Sequence, residues 1–560
     1  MSIILNSWKA LAVTFLSLAI LTFQNDTPQK APICFPKVGT YDSIFEVCYV
    51  ILKKKYRVED ESPNSSLDGR ITLRNLRKEI QAIALPPRSL SVYDIRSRYL
   101  EGRGRGTWAL IIDVPPDDET LTEINKIFSK YKAIIANSFC SSEPQLHMFG
   151  PNPYPRPRPA DGSRESSPIG SRRDFQKRFD GKYSPIQLRY RENNARRFLR
   201  PRATNSNGVV VSKEPALPEM LRIAQPPGVS LSEMKNSYYT YPNPGEGVFI
   251  YTMDSGCDFR ATDLSHVNPS SVDWIYTGPL PGDERSDDDE PSDAKAYGHF
   301  DNGKSFDAGY HGTMVAESLV GDKHGTATSA NLVVVKMATG RNMSYNLIDI
   351  DALLKIFDHM YENYKESPGS WPGFVVVCTV GYDLDDDLVE TVRSLYEELL
   401  KVFNQPKFKG YVVVAAGNQG PEVQVSDFPA KLKGISKTPI DNLIVVGGAD
   451  TQTGLEAAQS ADFIKIFSPS TKLRFTLPNG KSIIAHGTSF STPLAAGLLA
   501  TLISRGVKQP IKQMEEWAYP RTSGGPNIIW NGITQDMWPR AEDPIDTSSL
   551  DGDGELVDDI

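Results

Sequence analysis

Four residues of complementary chemistry follow one another along this sequence. Asp254 comes directly after the apolar run 248–253, His311 lies at a predicted helix start, and Asn418 follows a second apolar run. Ser489 is the last of the four. A serine nucleophile needs a base to take its proton, a carboxylate to orient that base, and donors for the oxyanion. The four residue types therefore predict nucleophilic attack on a carbonyl group.

Ser489 begins an apolar stretch rich in small residues, which predicts a buried helix with Ser489 in its first turn. Pro493 lies within that turn or close to it, where proline is best tolerated. A hydroxyl there lies near unpaired backbone N–H groups and the positive end of the helix dipole. Such a position suits a nucleophile whose reaction creates an oxyanion. Taken alone, however, the segment favours an ordinary Ser/Thr-rich helix start.

The other three residues also have ordinary structural interpretations. Asp254 could cap a turn, His311 could be one structural histidine among seven, and Asn418 could belong to an Asn-Gln-Gly turn. The catalytic hypothesis therefore depends on the four occurring together, in order, each at a strand end or a helix start. Three further histidines match no such position and are interpreted as structural: His299, His324 and His486.

The elements that must position these residues are predicted by hydrophobic periodicity. Near-continuous apolar runs are typical of strands buried on both faces of a parallel sheet, and they occur at 248–253, 332–335, 374–377, 411–416 and 443–446. Helical patterns at 347–357 and 388–399 lie between them. Alternating strands and helices predict an α/β fold with a doubly wound, mostly parallel sheet. Because such sheets bind ligands at the carboxyl ends of their strands, the four residues are expected at one edge.

The order Asp, His, Asn, Ser, with these local motifs, resembles the subtilisin-like serine peptidases, and in particular fungal-type secreted members. The resemblance covers roughly residues 217–532. It implies that Ser489 attacks the scissile carbonyl, that His311 is the base, and that Asp254 orients the imidazole. It also implies that Asn418 and the Ser489 backbone N–H stabilise the oxyanion.

The same resemblance implies a peptide-binding strand. Thr379, Val380 and Gly381 match the family's Ser-Leu-Gly substrate segment, which would pair with an extended peptide by β-augmentation. Residues 428–430, Phe-Pro-Ala, resemble a Tyr-Pro-Ala loop near the pocket for the residue before the cut. The implied partners are polypeptide substrates of a monomeric enzyme that uses no metal and no other cofactor.

Three departures from the family pattern leave substrate preference open. Glu317 stands where a small residue is usual, Tyr382 replaces a glycine, and Phe490 begins an altered segment after the serine. None of them removes a catalytic group. They leave room for a weak or inactive subtilisin-like protein that binds other proteins through the same groove.

Composition divides the rest of the chain into segments. An apolar run at 10–23 behind Lys9 suits the core of a signal peptide of a secreted protein better than a membrane anchor. Strand and helix patterns near 45–52, 108–113, 120–131 and 133–135 predict a small α+β unit, which the resemblance interprets as an inhibitory prodomain; an unrelated recognition domain is the alternative. The predicted segments are a signal peptide at 1–24, the α+β unit at 25–150, a linker at 151–214, the peptidase domain at 215–532 and an acidic, disordered tail at 533–560.

The linker is basic, whereas the whole chain is acidic with a net charge of −8. Residues 151–202 contain 8 Pro, and 14 Lys and Arg against 5 Asp and Glu. This composition is typical of an extended linker, and its dibasic pairs at 172–173, 177–178 and 196–197 could be processing sites. A nucleic-acid-binding function for the linker is the third hypothesis, which the acidic balance elsewhere disfavours.

The five cysteines are too sparse for a disulfide scaffold, and no Cys/His cluster suggests zinc. A disulfide between Cys257 and Cys378 is conceivable. Two buried thiols are the simpler interpretation.

Overall fold

The computed structural model describes residues 46–53, 67–83, 92–97, 99, 106–114, 118–141, 146–148, 211–277, 310–337, 347–384, 386–478 and 480–539. The predicted signal peptide, nearly all of the basic linker and most of the acidic tail lie outside these residues.

The N-terminal unit is a four-stranded antiparallel sheet with two helices. Its elements are β1 (Glu46–Leu52), α1 (Leu67–Ala82), β2 (Val92–Ser97), β3 (Gly106–Val114), α2 (Asp118–Lys130) and β4 (Ile135–Ser141). The strand order is β2-β3-β1-β4. Alternation along β1 sends Val50 towards α1 and α2, whereas Tyr49 and Ile51 join a core shared with the larger domain. Both faces of the small sheet are therefore buried.

A nine-stranded sheet forms the centre of the larger domain. Its strands, in spatial order, are β18 (Tyr519–Pro520), β19 (Asn527–Ile528), β15 (Ile466–Pro469), β14 (Leu443–Ala449), β13 (Gly410–Ala415), β11 (Phe374–Cys378), β8 (Phe249–Asp254), β10 (Asn331–Lys336) and β9 (Asp273–Tyr276). All neighbouring strands pair in parallel except β18 and β19, which are antiparallel. This confirms the predicted fold class and all five apolar runs as strands.

Helices cover both faces of this sheet. The helices described in this domain are α3 (Pro218–Ala224), α4 (His311–Val320), α5 (Ile348–Glu366), α6 (Asp386–Phe403), α7 (Leu432–Ile435), α8 (Thr488–Ser504) and α9 (Pro510–Trp517). Short 3₁₀ turns occupy Thr262–Leu264, Pro269–Ser271 and Gln535–Met537. Helices α5 and α6 pack on one face, and α4 and α8 pack on the other. This two-sided cover explains why the central strands are apolar throughout.

Three two-stranded ribbons complete the described structure. β6 (Val211–Lys213) pairs with β7 (Tyr238–Thr240), and β16 (Leu473–Thr476) pairs with β17 (Ser482–Ala485). The third ribbon joins β5 (Leu146–Met148), which follows the N-terminal unit, to β12 (Val380–Tyr382) of the larger domain. This last pair connects the two regions at the edge where the site lies.

Candidate active site

Asp254 ends β8, a central strand whose residues are all buried. Its carboxylate oxygens both lie 3.0 Å from His311 Nδ1, and it accepts hydrogen bonds from the Ser255 backbone N–H at 2.6 Å and from the Thr379 hydroxyl. Burial would raise the pKa of Asp254, but the charge of His311 and these hydrogen bonds outweigh burial and lower the pKa below its usual value. Asp254 is therefore a buried carboxylate held in its charged form.

His311 is the first residue of α4, and close packing of the helix start fixes its position. A Cβ at Gly312 would lie 2.2 Å from the Gly256 carbonyl oxygen, so only glycine fits where α4 meets the turn after β8. The Gly312 N–H also donates to the Ser255 hydroxyl at 3.1 Å. The contacts with Asp254 fix the orientation of the imidazole, with Nε2 on the side of the ring away from the carboxylate.

Ser489 is the second residue of α8, as the sequence predicted for a first-turn position, and it is completely buried. The helix begins after Gly487, whose φ of 131° suits glycine. Ser489 Oγ has no hydrogen-bond partner among the described residues. The ring of the adjacent Phe490 lies 5.4 Å from the His311 ring, centroid to centroid. Pro493 lies in the second turn of α8, one turn later than the first turn in which proline is best tolerated.

Asn418 follows β13 and is bound to the start of α8. Its Oδ1 accepts hydrogen bonds from the Thr488 N–H at 2.7 Å and the Thr488 hydroxyl at 3.0 Å. These bonds orient the amide, and Asn418 Nδ2 is buried without a partner among the described residues. An oriented amide donor thus lies beside the residue that precedes Ser489. The sequence did not identify Thr488, although its position next to Ser489 was a usable signal.

The three predicted substrate-binding residues divide between two roles. The Thr379 side chain contacts Asp254, so it belongs to the carboxylate's surroundings. Val380 and Gly381 lie in β12, where they pair with Met148 and His147 of β5 in antiparallel register. On the other side, Tyr382 exchanges two backbone hydrogen bonds with Phe428, of 3.0 and 2.9 Å. An extended segment of the chain therefore lies along the strand predicted to bind peptides.

Other sequence expectations have structural outcomes as well. Cys257 and Cys378 are buried and not disulfide-bonded, which confirms the simpler interpretation. Cys48 is disulfide-bonded, which the cysteine spacing did not predict, and its Cα partner in the β1–β4 ladder is Cys140. Within the described ranges, no group of His, Cys, Asp and Glu could hold a metal ion. Among the helices described, none has the length and apolar character needed to cross a bilayer.

Part of this chain is similar to known proteins. The family model of the subtilases matches residues 245–518. Subtilisin-like protease 2 of Pseudogymnoascus destructans is 26% identical over 274 residues, covering 48% of this chain and 55% of that protein. Alkaline protease 2 of Aspergillus fumigatus is 27% identical over 279 residues, covering 48% of this chain and 47% of that protein. The chain thus spans about half the length of these relatives.

A solved structure of a cold-adapted subtilisin-like serine proteinase matches 57% of this chain and 100% of its own, with 16% identity and a TM-score of 0.38. The segment matched by the family model contains Asp254, His311, Asn418 and Ser489. Residues 245–518 therefore belong to the subtilase family, as a distant relative of fungal subtilisin-like proteases.

Proposed function

We propose that this protein is a secreted serine endopeptidase made as a precursor. The observation that carries the proposal is the contact of His311 Nδ1 with both oxygens of Asp254, each at 3.0 Å. Phe490, the residue after Ser489, packs against the same imidazole ring. An imidazole fixed in this tautomer can accept a proton from a serine hydroxyl and later deliver it to a leaving amine.

In the proposed mechanism, Ser489 Oγ attacks the carbonyl carbon of a bound peptide as His311 Nε2 removes its proton. Asp254 stabilises the imidazolium that results and remains ionised itself, consistent with the lowered pKa of this carboxyl. The protonated histidine then donates to the leaving nitrogen, and the C–N bond breaks. Water hydrolyses the acyl-enzyme by the same steps, with His311 again as the base.

The oxyanion of this reaction would be bound by Asn418 Nδ2 and the Ser489 backbone N–H. Because Thr488 occupies Asn418 Oδ1, the amide needs no reorientation during the reaction. Fixed donors of this kind contribute about 3–4 kcal/mol to transition-state stabilisation.

The pairing of β5 with β12 supports two further parts of the proposal. An extended substrate would bind to β12 by the same antiparallel backbone pairing that β5 makes, with main-chain hydrogen bonds for affinity. The pairing also suggests that residues 25–150 act as an intramolecular inhibitor, because β5 occupies that strand. Signal-peptide removal, secretion and cleavage within the linker belong to the same proposal and rest on the sequence patterns.

Peptide hydrolysis by purified protein tests the enzymatic part. We expect the wild type to cleave an unstructured polypeptide and Ser489→Ala to lose this activity. The matched control is Ser491→Ala, which removes another buried hydroxyl of α8 that donates to the Thr488 carbonyl at 3.1 Å. Equal activity in the wild type and Ser489→Ala would contradict the proposal.

The N-terminus of the mature protein, measured by mass spectrometry, tests the precursor part. β5 brings Met148 beside Val380, and Val380 directly follows Thr379, whose hydroxyl contacts Asp254. Self-cleavage should therefore fall shortly after Met148 and be absent in Ser489→Ala. A first cut at a dibasic pair of the linker in both proteins would instead indicate an external processing protease.

A further inference from the structure

We propose that Asp349, Tyr382 and Tyr396 form a buried clamp that positions strand β12 for peptide binding. Tyr382 and Asp349 are then positioning residues of the reaction, acting through the strand and not on the reacting atoms. This inference rests on the proposed function, because it assumes that β12 binds the substrate backbone.

The clamp joins one strand and two helices: β12, α5 and α6. Tyr382 is the last residue of β12, and its hydroxyl donates to Asp349 Oδ2 at 2.5 Å. Asp349 lies in the first turn of α5 and is completely buried. The hydroxyl of Tyr396, from α6, donates to the same carboxylate oxygen. One oxygen of one acid therefore joins β12 to both helices on that face of the sheet.

The chemistry of the clamp makes these hydrogen bonds strong. Burial raises the pKa of Asp349 to about 6, which leaves the carboxyl largely ionised at neutral pH. Burial and the charge of Asp349 raise the pKa of Tyr382 well above 10, so the phenol remains a donor. Hydrogen bonds to an ionised acceptor are roughly twice as strong as neutral ones. The other carboxylate oxygen accepts the Ile350 N–H at 2.9 Å.

The clamp residues also pack against Phe428, in the loop 428–430 that resembles the family's Tyr-Pro-Ala loop. The Tyr382 and Phe428 rings stack with centroids 6.1 Å apart, and Tyr396 lies 6.5 Å from the same Phe428 ring. Tyr382 is 3% exposed, and Phe428 is fully buried. The side chain of Tyr382 thus fixes the relative position of β12 and Phe428, in addition to their backbone pair.

β12 needs such support because it is outside the nine-stranded sheet. It has three residues, and its only strand partner in the described structure is β5, from the N-terminal region. Once β5 gives way to a substrate, the strand would be held by its link to β11, by Phe428 and by the clamp. A strand that is fixed in advance loses less conformational entropy when it binds a peptide.

The test compares substrates that use β12 with probes that do not. Kinetics are measured with a peptide that extends four residues before the cut, and with an ester of a single amino acid. The rate of labelling by a fluorophosphonate measures the reactivity of Ser489 with a probe that does not bind to β12. The variants are Tyr382→Phe and Asp349→Asn, and the control is Tyr519→Phe, which removes a phenol bonded to the Gln225 carbonyl at 2.7 Å far from the site.

We expect Tyr382→Phe to raise KM for the extended peptide about tenfold with kcat little changed, because β12 must then be ordered when the peptide binds. Asp349→Asn should act in the same direction. Ester hydrolysis and fluorophosphonate labelling should match the wild type, and Tyr519→Phe should alter none of these rates.

Equal losses on the peptide, the ester and the label would overturn the clamp, because they would show general damage to the domain. Unchanged KM values in both clamp variants would overturn it as well. A wild type that is not labelled at all would refute the proposed function itself, and the two failures are therefore distinguishable.

Discussion

Two buried acids, one near each end of helix α4, have pKa values shifted in opposite directions. At its first residue, His311 holds Asp254, whose carboxylate also accepts hydrogen bonds from Ser255 and Thr379. Near its other end, Glu317 is equally buried, but neither of its carboxyl oxygens has a hydrogen-bond partner among the described residues. The pKa of Asp254 is lowered, whereas burial raises the pKa of Glu317 to about 8. Burial is the same at both ends, so the charge of His311 and the hydrogen-bond donors around Asp254 account for the difference in pKa.

His324 is a buried histidine whose charge acts on Glu317. Its Nδ1 lies 2.8 Å from Asp263 Oδ2, its Nε2 donates to the Arg474 carbonyl at 2.6 Å, and Glu219 Oε1 is 3.8 Å from Nε2. Burial lowers the pKa of His324, but Asp263 and the other acids outweigh it and raise the pKa to about 9. The charge of His324 lowers the pKa of Glu317, but burial outweighs it, and neither carboxyl oxygen of Glu317 has a hydrogen-bond partner among the described residues.

Neutralising the acid at the front of α4 should have the largest effect. Asp254→Asn keeps the side-chain shape but cannot hold the His311 tautomer or its charge, so kcat should fall about 10⁴-fold. The measurement is peptide hydrolysis, with circular dichroism to check folding. The matched control is Glu317→Gln, which neutralises the acid at the other end and should leave kcat near that of the wild type. Similar losses in both would remove the distinction between the two ends.

Asn418→Asp should give the next largest loss. The variant keeps an oxygen that can accept the Thr488 bonds but has no N–H for the oxyanion, so kcat should fall about 10²–10³-fold. The control is Asn268→Asp, whose side chain likewise accepts a backbone N–H, from Ser270 at 3.1 Å. A loss below threefold would exclude Asn418 as an oxyanion donor.

Glu317→Gln should change the pH dependence of stability. In the folded wild type, Glu317 keeps its proton up to a pKa of about 8, whereas the unfolded chain loses it near 4.5. The folded state therefore binds more protons between these values, and the free energy of unfolding falls as pH rises. His324 acts in the same direction, because its raised pKa means that its contribution disappears as pH rises through about 9.

Because the side chain in Glu317→Gln cannot ionise, the variant should lack the part of the fall in stability with pH that Glu317 causes. Relative to the wild type, we expect Glu317→Gln to gain roughly 4 kcal/mol in the free energy of unfolding between pH 5 and pH 9. Urea unfolding across this pH range measures the difference. Parallel stability profiles for the two proteins would show that Glu317 is already ionised or paired.

Thr379→Val should have the smallest effect of the four. It removes one hydroxyl that donates to Asp254 and leaves the other donors in place, so kcat/KM should fall about tenfold. Thr379→Ser keeps the hydroxyl and serves as the control. An equal loss in the serine variant would indicate a packing role for the methyl group.

Much of the fold could be predicted because the relevant signals are local. The apolar runs that became β8, β10, β11, β13 and β14 needed only burial on both faces to be recognised. Asp254, His311 and Ser489 were each predicted at the correct end of an element. Helix α1 was missed, although Leu73, Leu76 and Ile80 follow a helical spacing and form its buried side.

What could not be predicted depends on contacts between distant parts of the chain. The bonds of Asn418 to Thr488 join the end of one strand to the start of a later helix. The pairing of β5 with β12 involves three residues on each side, too few for a periodic pattern. Glu317 was noticed as a departure, but its neighbours Asp263 and His324 come from other segments, so its charge state required the structure.

Labelling with a fluorophosphonate, followed by mass spectrometry of the modified peptide, tests the central claim most directly. If Asp254, His311 and Ser489 form a working catalytic site, the folded, processed protein will carry one label on Ser489. Asp254→Asn will be labelled far more slowly, and Ser489→Ala not at all. A correctly folded wild type that takes no label at Ser489, or a Ser489→Ala variant labelled as fast as the wild type, would contradict the account.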